Sequence, residues 1–555
     1  MTARRIKAPS IDGGVLVDPN PSAIAGQIAA NADRLSGWDH DFQGRRAKWL
    51  RSAVRQEVVA LARSFLARHG FCDSSLEIEA LGRNDCPLIV TGHQPELFHP
   101  GVWIKNFAAA SIATANGGVG LNLIVDNDIP KSTSIAVPAV GAQGIRLTRV
   151  EFDRWGGDAP FEDSPVLEEE RFSTFADRVH AVMGDSIPNP LLDRFWPCAL
   201  GRRPEAWTHG MRFSLARREI EESWGVMNLE VPLSEVCQSD GFYWFVSHLL
   251  AELSRYARVH NEALTEYRAM HGIRSKNHPV AALATEGEWL EAPFWIWRAE
   301  NPRRRPLLVR QRTNVMDLRI AGEDEVLIEL PLAPHREACC AVERLRELPA
   351  RSVRLRTRAL TTTLFSRFLL GDLFIHGIGG AKYDELGDEI ARRFFQVEPP
   401  GFLTVSMTLW LGLPAEPASA ADLIDVNRRL RDVQFNPDLC LSEPYDEELR
   451  NLVRKKREAI LQSVASRRER KVRRLAIRRA NEAIRPWVRH QEDEFLGRKL
   501  EILRRLRSNR AARNREFSSV LHAEDRLRSS LLEAASSSAR LIETSVSSGA
   551  PGQTS

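Results

Sequence analysis

The sequence predicts a mixed α/β protein with a Rossmann-like core, helical insertions and a C-terminal α-helical coiled-coil arm. An apolar run at 87–90 is followed by a polar loop, a helical stretch and a second apolar run at 121–125. This is the order of a βαβ unit, which pairs its two strands in parallel. A third apolar run, at 373–376, leads through a glycine turn into another helical stretch. Beyond 445 the apolar residues are sparse in a charged background, which indicates long solvated helices.

The same patterns divide the chain of 555 residues into consecutive segments. They are an N-terminal helical segment (1–85), the first part of the core (86–150), a helical insertion (151–262), the second part of the core (263–440), the basic coiled-coil arm (441–515), a return segment (516–540) and a disordered tail (541–555). Apolar residues at three- and four-residue steps from Leu50 to Phe65 predict the first helices. A composition rich in Ser and Gly predicts the disordered tail.

Composition excludes several classes of protein. Hydrophobic residues make up 43% and charged residues 27% of the chain, which is ordinary for a globular protein. No run approaches eighteen apolar residues, and no apolar stretch follows the basic N-terminus, so neither a membrane span nor a signal peptide is expected. The seven scattered cysteines contain no Cys-x-x-Cys pair. They predict reduced thiols in the cytoplasm rather than a zinc site or a disulfide framework.

The positive charge is concentrated in the predicted arm. The formal net charge of the chain is +4, yet residues 445–515 contain 23 Lys/Arg against 10 Asp/Glu, so the remainder is net negative. The run 467–474 could contact nucleic acid through phosphates, but the arm has almost no aromatic residues between its charges, and nucleic-acid binding is not expected. A thinly apolar helix is unstable alone in water. The arm is therefore predicted to form an antiparallel hairpin or the seam of a homodimer.

The first candidate site lies at the carboxyl ends of the first two predicted strands, where open α/β sheets bind ligands. Its candidate residues are Gly92, His93, Gln94, His99, Lys105 and Asn106 after the first strand, and Asp126, Asn127, Asp128 and Lys131 after the second. Imidazoles, lysines and carboxylates at one sheet edge could bind phosphate, position a metal or transfer protons. The alternative is turn chemistry alone, because Asn, Asp and Pro are favoured in loops.

The second candidate site is the glycine turn at 377–380. Its candidate residues are Gly377, Gly379, Gly380 and Lys382. A strand, a glycine turn and a helix start allow backbone amides to approach an anion, although these glycines do not fit Gly-x-Gly-x-x-Gly. Glycines in such turns also occur only because positive φ is needed, so both interpretations stay open. The lysine favours a phosphate or carboxylate ligand.

Two other groups stand between these sites in the sequence. One is a basic quartet that could bind a carboxylate, formed by His271, Arg274, Lys276 and His278. The other is the tryptophan-bearing stretch 289–298, whose aromatic side chains are expected to pack in the core.

Three of these motifs together resemble the cysteine-adding enzymes of bacillithiol biosynthesis, a family of cysteine ligases. The stretch 91–98 resembles the family's Gly-Gln-Gln-x-x-Leu loop, and 126–128 stands where the family has Glu-Asp-His-Asp. The turn 377–380 is similar to its Gly-Gly-Pro-Gly turn, and the three motifs keep the family's order. The chain departs from the family at His93, where the family has Gln, at Asn127, where it has His, and at Lys382, near which it has Glu.

The resemblance implies a Rossmann-like core, inserted helices and a C-terminal coiled coil that forms a homodimer. It also implies a ligase or group-transfer enzyme that joins an amine, with cysteine as the candidate, to a small polar metabolite, using ATP and Mg²⁺. The roles implied are phosphate binding or acid–base catalysis for His93 and His99, charge neutralisation for Lys105 and Lys382, and Mg²⁺ or amine binding for Asp126 and Asp128. The competing hypothesis is a non-catalytic ligand-binding or scaffold protein that assembles through its coiled coil.

Overall fold

A computed structural model of the protein describes residues 6–71, 86–201, 207–274, 280–443 and 446–546. The strands are β1 (Val15–Asp18), β2 (Leu88–His93), β3 (Val119–Ile124), β4 (Ser134–Gly141), β5 (Gly144–Glu151), β6 (Leu229–Pro232), β7 (Thr285–Glu286), β8 (Trp289–Arg298), β9 (Asn301–Gln311), β10 (Met316–Ile320), β11 (Ile328–Leu330), β12 (Val353–Thr357), β13 (Leu373–His376) and β14 (Phe402–Met407). They form a central sheet in the order β1-β14-β13-β2-β3-β6, a second sheet in the order β11-β10-β9-β8-β12 with β7 beside β8, and the hairpin β4-β5.

The α-helices are α1 (Ile24–Ser36), α2 (Ala47–Arg68), α3 (Pro100–Ala115), α4 (Glu169–Ser173), α5 (Phe175–Met183), α6 (Leu192–Gly201), α7 (His209–Ser223), α8 (Leu233–Val236), α9 (Asp240–Ala251), α10 (Leu253–Met270), α11 (Cys339–Leu345), α12 (Ala359–Phe365), α13 (Ile378–Ile390), α14 (Ala420–Phe435), α15 (Glu447–Leu461), α16 (Arg467–Ile484), α17 (Arg489–Ala512) and α18 (Glu524–Val546). One π-helical turn extends α12 (Ser366–Leu370) and another extends α13 (Ala391–Phe395). The chain is thus a mixed α/β protein with long helices near its C-terminus.

The central sheet is parallel except for β1, which pairs antiparallel with β14. The chain runs from β2 outward through β3 to β6, returns beside β2 as β13, and continues outward on the other side to β14. The direction of winding therefore reverses between β2 and β13. Connections leave the carboxyl ends of these two neighbouring strands in opposite directions, which opens a crevice at that edge of the sheet.

Alternating side chains along the strands divide the core between the two faces of the sheet. In β2, Leu88 and Val90 belong to one apolar cluster and Ile89 belongs to the other. Helix α3, which follows β2, packs through Phe107 on the face of Ile89, whereas α13, which follows β13, packs through Leu386 on the opposite face. The N-termini of these two helices consequently lie on opposite sides of the crevice between β2 and β13.

Three predicted elements differ from the structure near this crevice. The first strand extends to His93, so the stretch 91–93 is strand rather than loop, and its three residues pair with three residues of β3. The predicted helical insertion 151–262 contains β6, which pairs with β3 and is a strand of the central sheet. The turn 377–380 forms the N-cap and first turn of α13, and none of its glycines has positive φ. A helical hydrogen bond, Ala381 N to Gly377 O at 3.1 Å, replaces the turn.

The arm is built from paired helices. Helix α15 packs against α16, and α14 packs against α17, so the helical region begins at Ala420 rather than 441. The predicted break near Pro486 is a 3₁₀ turn at Arg485–Val488. A small apolar cluster of Leu449, Val453 and Ile484 is buried among these helices, and α14 also buries Val426 and Val433.

The chain returns from the arm to the body. The end of α17 contacts the β4-β5 hairpin, where Ser508 Oγ accepts a hydrogen bond from Ile145 N at 3.1 Å. Helix α18 then lies along α3 and buries Leu527 and Leu531. It continues to Val546, so residues 541–546 of the predicted disordered tail are helical, and the rest of that tail lies outside the described residues. In the described ranges no helix has both the length and the apolar composition needed to cross a membrane.

Candidate functional site

A cavity of about 990 Å³ opens at the carboxyl edge of the central sheet, at the crevice between β2 and β13. One wall comes from the ends of β2, β3 and β13, a second from the antiparallel sheet and α12, and a third from residues that follow α17. The predicted site residues that line it are Gly92, His93, Gln94, His99, Lys105, Asn127, Asp128, Lys131, Gly377, Gly379, Gly380 and Lys382. Asn106 and Asp126 are the predicted site residues that do not line it.

His93 ends β2 and is held by neighbours on both sides of its ring. Its Nε2 lies 3.1 Å from Oδ1 of Asn106, and its Nδ1 lies 3.2 Å from the carbonyl oxygen of Gln94. The Asn106 amide in turn donates to Glu221 at 2.8 Å, which explains why Asn106 lies beneath the cavity wall. Burial, reinforced by the cation of Lys105, holds the pKa of His93 well below its ordinary value. The low pKa favours the neutral ring, in which one of the two nitrogens carries a proton and donates it to the neighbouring oxygen.

Lys105 projects from the first turns of α3 into the crevice. Its Nζ donates to the carbonyl oxygen of Gly92 at 2.7 Å, and only 5% of the residue is exposed. Its Cδ would lie 4.0 Å from a Cβ built on Gly377, so the lysine runs beside the N-cap of α13. Burial lowers the pKa of Lys105 to about 7. An anion in the crevice would satisfy this buried ammonium group.

Asp128 is held in an ion pair at the rim of the cavity. It contacts Arg304 Nη1 at 2.8 Å and accepts hydrogen bonds from Gln94 Nε2 and the amide of Ile129, both at 2.9 Å. Its carboxylate is thus already matched by cationic and amide donors. The arginine comes from β9, so this pair joins the two sheets across the cavity mouth.

Asp126 points away from the cavity. Its carboxylate accepts hydrogen bonds from the amide of Ser234 at 2.9 Å and from the Ser234 hydroxyl at 2.5 Å, which ties the end of β3 to the turn after β6. Burial and the nearby carboxylate of Glu162 raise its pKa to about 7. The expectation that both carboxylates face one ligand fails here, because Asp126 is held by Ser234, which follows the unpredicted strand β6, whereas Asp128 is held by Arg304 and Gln94.

His99 caps helix α3. Its Nδ1 accepts a hydrogen bond from the amide of Gly101 at 3.1 Å, so in the neutral ring the proton resides on Nε2. Burial lowers its pKa to about 4. Nε2 lies 3.4 Å from the carboxylate of Glu516. The α3 terminus is therefore closed by a side chain.

The N-terminus of α13 is open instead. Its N-cap is Gly377, which has no side chain to accept from the first amides, and Gly379 and Gly380 are exposed. Intrahelical bonding begins at Ala381, so the three preceding amides stand at the positive end of the helix. Lys382 follows one turn later and also lines the cavity. Open amides, a buried lysine and a second lysine favour an anionic group here.

Sequence reasoning missed a His–Asp pair under this terminus. His376, the last residue of β13, donates from Nε2 to Asp384 Oδ2 at 2.7 Å, and Asp384 also pairs with Arg367 at 2.6 Å. The pair lies eight residues apart, a separation that no short motif marks. A Cβ on Gly380 would come within 2.7 Å of His376 Nδ1, so the close approach of the histidine ring requires glycine at this position.

Residues of the second sheet and of α12 were also missed. The Trp295 ring lines the cavity between two guanidinium groups, with Arg358 at 4.1 Å and Arg304 at 5.2 Å from its centroid. The predicted core packing holds for Trp297, which is 1% exposed, and not for Trp295. Of the basic quartet, His271 pairs with Glu385 at 3.0 Å outside the cavity lining, and 276 and 278 lie outside the described residues.

Charge in the cavity is strongly unbalanced. The cationic residues that line it are Lys7, Lys105, Lys131, Arg304, Arg358, Lys382 and Arg515. The carboxylates that line it are Asp128 and Glu516. Cations gathered around a concave site raise the local concentration of anions, so the arrangement favours an anionic ligand. Within the described ranges no three His, Cys, Asp or Glu side chains are placed to hold a metal ion.

Comparison with known proteins identifies no family for this chain. No protein-family model matches the chain, and no curated protein matches it.

Proposed function

We propose that the protein is a ligase or group-transfer enzyme that joins an amine to a small, polar, anionic metabolite with a nucleotide as the activating cosubstrate. The observation that carries this proposal is the convergence of the two sequence-predicted sites on one cationic cavity at the winding reversal of a parallel sheet. Such a reversal is where α/β sheets bind ligands. A cavity of about 990 Å³ is large enough for more than one small ligand.

In this proposal the phosphates of the nucleotide lie at the open N-terminus of α13. The amides before Ala381 and the ammonium groups of Lys105 and Lys382 supply hydrogen bonds and positive charge there. Bound ATP would supply phosphoryl activation of a carboxylate. The carboxylates of Asp126 and Asp128 are already satisfied by Ser234 and Arg304, so Mg²⁺ would enter with the phosphates rather than on a preformed carboxylate site.

The winding order supports a Rossmann-like description of the core, as does the resemblance to the cysteine-adding enzymes of bacillithiol biosynthesis. The three motifs that carry the resemblance all border the cavity, with 91–98 at one side, 126–128 at the rim and 377–380 at the other side. Cysteine is accordingly the first amine substrate to test. We place this activity in the cytoplasm, since the seven cysteines are odd in number and scattered along the sequence.

A second candidate function, assembly through the arm, has its own supporting observation. Large apolar side chains are exposed on the arm helices, including Leu461 at 83%, Ile424 at 70% and Leu500 at 68%. A solvated helix gains stability by packing such positions against a partner. We therefore propose a homodimer that pairs through a coiled coil of the arm. If the protein is a scaffold and not an enzyme, this surface of the arm is the part that functions.

The deciding experiment is ligand-dependent stability followed by turnover. Thermal unfolding is recorded with ATP, with ATP and Mg²⁺, and with the non-hydrolysable imido analogue, and binding to the native state raises the midpoint by mass action. Product formation is then sought by mass spectrometry with ATP, cysteine and a panel of amino sugars and hydroxy acids. The matched variants are Lys105→Met, in the cavity, and Lys48→Met, on the exposed face of α2.

The proposal expects a nucleotide-dependent rise in the midpoint that Lys105→Met removes and Lys48→Met keeps. It also expects release of ADP or AMP only when an amine and an acid are both present. A midpoint that ignores every nucleotide, together with an intact dimer, would favour the structural role of the arm.

A further inference from the structure

The segment that follows the last arm helix supplies one end wall of the cavity. After α17 ends at Ala512, the chain places Arg515 and Glu516 among the lining residues before Ser519 N bonds to Phe98 O at 2.8 Å. Arg515, which is more than four hundred positions from His99 in the sequence, thereby lies beside it. The segment has no sequence motif, and nothing in the proposed function depends on it.

The guanidinium of Arg515 is inserted in a notch that only glycine leaves open. Its Nη2 donates to Ser406 Oγ at 3.0 Å, and a Cβ on Gly101 would lie 2.3 Å from that same nitrogen. The same Cβ would lie 2.5 Å from the carbonyl oxygen of Met407, so neither neighbour leaves room for a side chain. The start of α3 and the end of β14 are thus shaped around the arginine.

This guanidinium is short of acceptors. The Arg515 side chain is 18% exposed and its Nε makes no hydrogen bond within the described residues. The Glu516 carboxylate lies 3.4 Å from that Nε and 3.4 Å from His99 Nε2, and its side chain is 64% exposed. Arginine carries five N–H donors, so the bond to Ser406 and the long contact with Glu516 leave donors that an anion in the cavity can fill.

Two further donors line the same cavity as Arg515. His99 carries its proton on Nε2, and a Cβ on Gly101 would lie 2.8 Å from His99 Cε1 and 2.3 Å from Arg515 Nη2, so the imidazole and the guanidinium are neighbours. Lys105 also borders Gly377, at the other anion-binding end of the cavity. The lysine thus borders the terminus of α13 and lines the same cavity as Arg515.

We propose that Arg515, His99 and Lys105 form a second oxyanion subsite, distinct from the α13 terminus, which binds a carboxylate or phosphate of the substrate. This inference rests on the proposed function and deepens it: the cavity takes two anionic groups at once, one at the α13 terminus and one at Arg515. Because Arg515 follows directly on α17, ligand occupancy also fixes the junction between the arm and the body. The subsite is complete only when that junction is in place.

The test measures binding of sulfate, phosphate and malonate to the full chain by isothermal titration calorimetry. Arg515→Gln is compared with Arg513→Gln, which removes the same charge two residues earlier from an exposed side chain on the Trp410 ring. We expect at least a tenfold loss of affinity in the first variant and less than a twofold change in the second. Preference for malonate over the inorganic anions would identify the group as a carboxylate, and the reverse preference as a phosphate.

A second variant and a second readout protect the test against misfolding. Gly101→Ala keeps the arginine but places a methyl group where its guanidinium lies, so it should reproduce the loss seen in Arg515→Gln. Hydrogen exchange of peptides covering 513–518 should slow when the anion binds the wild-type chain. Equal affinity in Arg515→Gln and wild type would overturn the subsite while leaving the proposed function standing. A wild-type chain that binds none of the three anions and also shows no response to any nucleotide would overturn both proposals. A nucleotide response without anion binding would overturn the subsite alone.

Discussion

The ammonium group of Lys105 should make anion binding depend on pH in a range where most lysines would not titrate. Burial lowers its pKa to about 7, so about nine-tenths of the lysine is charged at pH 6 and about one-tenth at pH 8. If the anion binds the charged form, its affinity falls about tenfold between pH 6 and pH 8 and about tenfold again by pH 9. Sulfate is the suitable probe because it keeps its charge throughout this range.

Calorimetry gives two independent measures of this effect. The dissociation constant of sulfate is followed from pH 6 to pH 9, and the enthalpy at pH 7 is compared in buffers of different ionisation heat. Sulfate raises the pKa of the neighbouring lysine, so binding at pH 7 should take up about half a proton. Lys105→Met should lose both the pH dependence and much of the affinity, by about 4 kcal/mol at most for a charge 4 Å away in a partly screened site.

Lys105→Arg is the matched control, because a guanidinium stays charged and should bind sulfate with no pH dependence. The sign of the stability effect offers a further check. A lysine whose folded pKa is depressed binds its proton more weakly than in the unfolded chain, so wild-type stability should rise from pH 7 towards pH 10. A wild-type affinity that stays constant from pH 6 to pH 9, or a Lys105→Met variant that keeps the slope, would refute this account.

Three other outcomes follow from the packing. Asp126→Asn should raise the unfolding free energy at pH 8 by up to ~4 kcal/mol and leave it unchanged at pH 4, because a raised carboxyl pKa removes stability as pH rises through 7. Urea unfolding of wild type and variant at both pH values measures this, and an equal difference in free energy at pH 4 and pH 8 would contradict it. Gly120→Ala should cost about 1–3 kcal/mol, since its Cβ would lie 1.9 Å from a buried amide oxygen, whereas Gly26→Ala, with open space, should gain about 0.5–1 kcal/mol. Leu461→Glu with Leu500→Glu should convert the proposed homodimer to a monomer in sedimentation without lowering the thermal midpoint, and a monomeric wild type would contradict this prediction.

Much of the central sheet was predictable because its strands carry local signals. The apolar runs that became β2, β3 and β13 are bounded by polar or glycine-rich stretches, and the hairpin β4-β5 shows alternating apolar residues. By contrast, β6 has four residues, one of them Glu230, buried by its pairing with Arg217 at 2.7 Å. A strand this short with a charged residue in it shows no apolar periodicity, and the compensating charge of Arg217 lies on another element, so β6 could not be predicted from its own sequence.

The candidate site shows the same division. Residues at strand ends were predictable because parallel strands end at one edge of a sheet, and this brought Lys105 and Lys382 into one cavity. The cationic wall opposite them was not predictable, because Arg304 lies on a separate antiparallel sheet and Arg358 directly follows its strand β12, and no local pattern describes how that sheet docks. Arg515 could not be predicted either, because its place in the cavity depends on where the chain returns from the arm to the body.

The order in which the chain is synthesised has a consequence for how this fold can be completed. Strand β1 is synthesised early, yet its partner β14 begins only at Phe402. Helix α3 likewise packs against α18, which begins at Glu524. Until then the apolar side of α3 that Leu527 and Leu531 later cover stays exposed, so nascent chains depend on protection by chaperones or on slow late closure. Shortened chains that stop before α18 should therefore aggregate during expression even though they contain the whole central sheet.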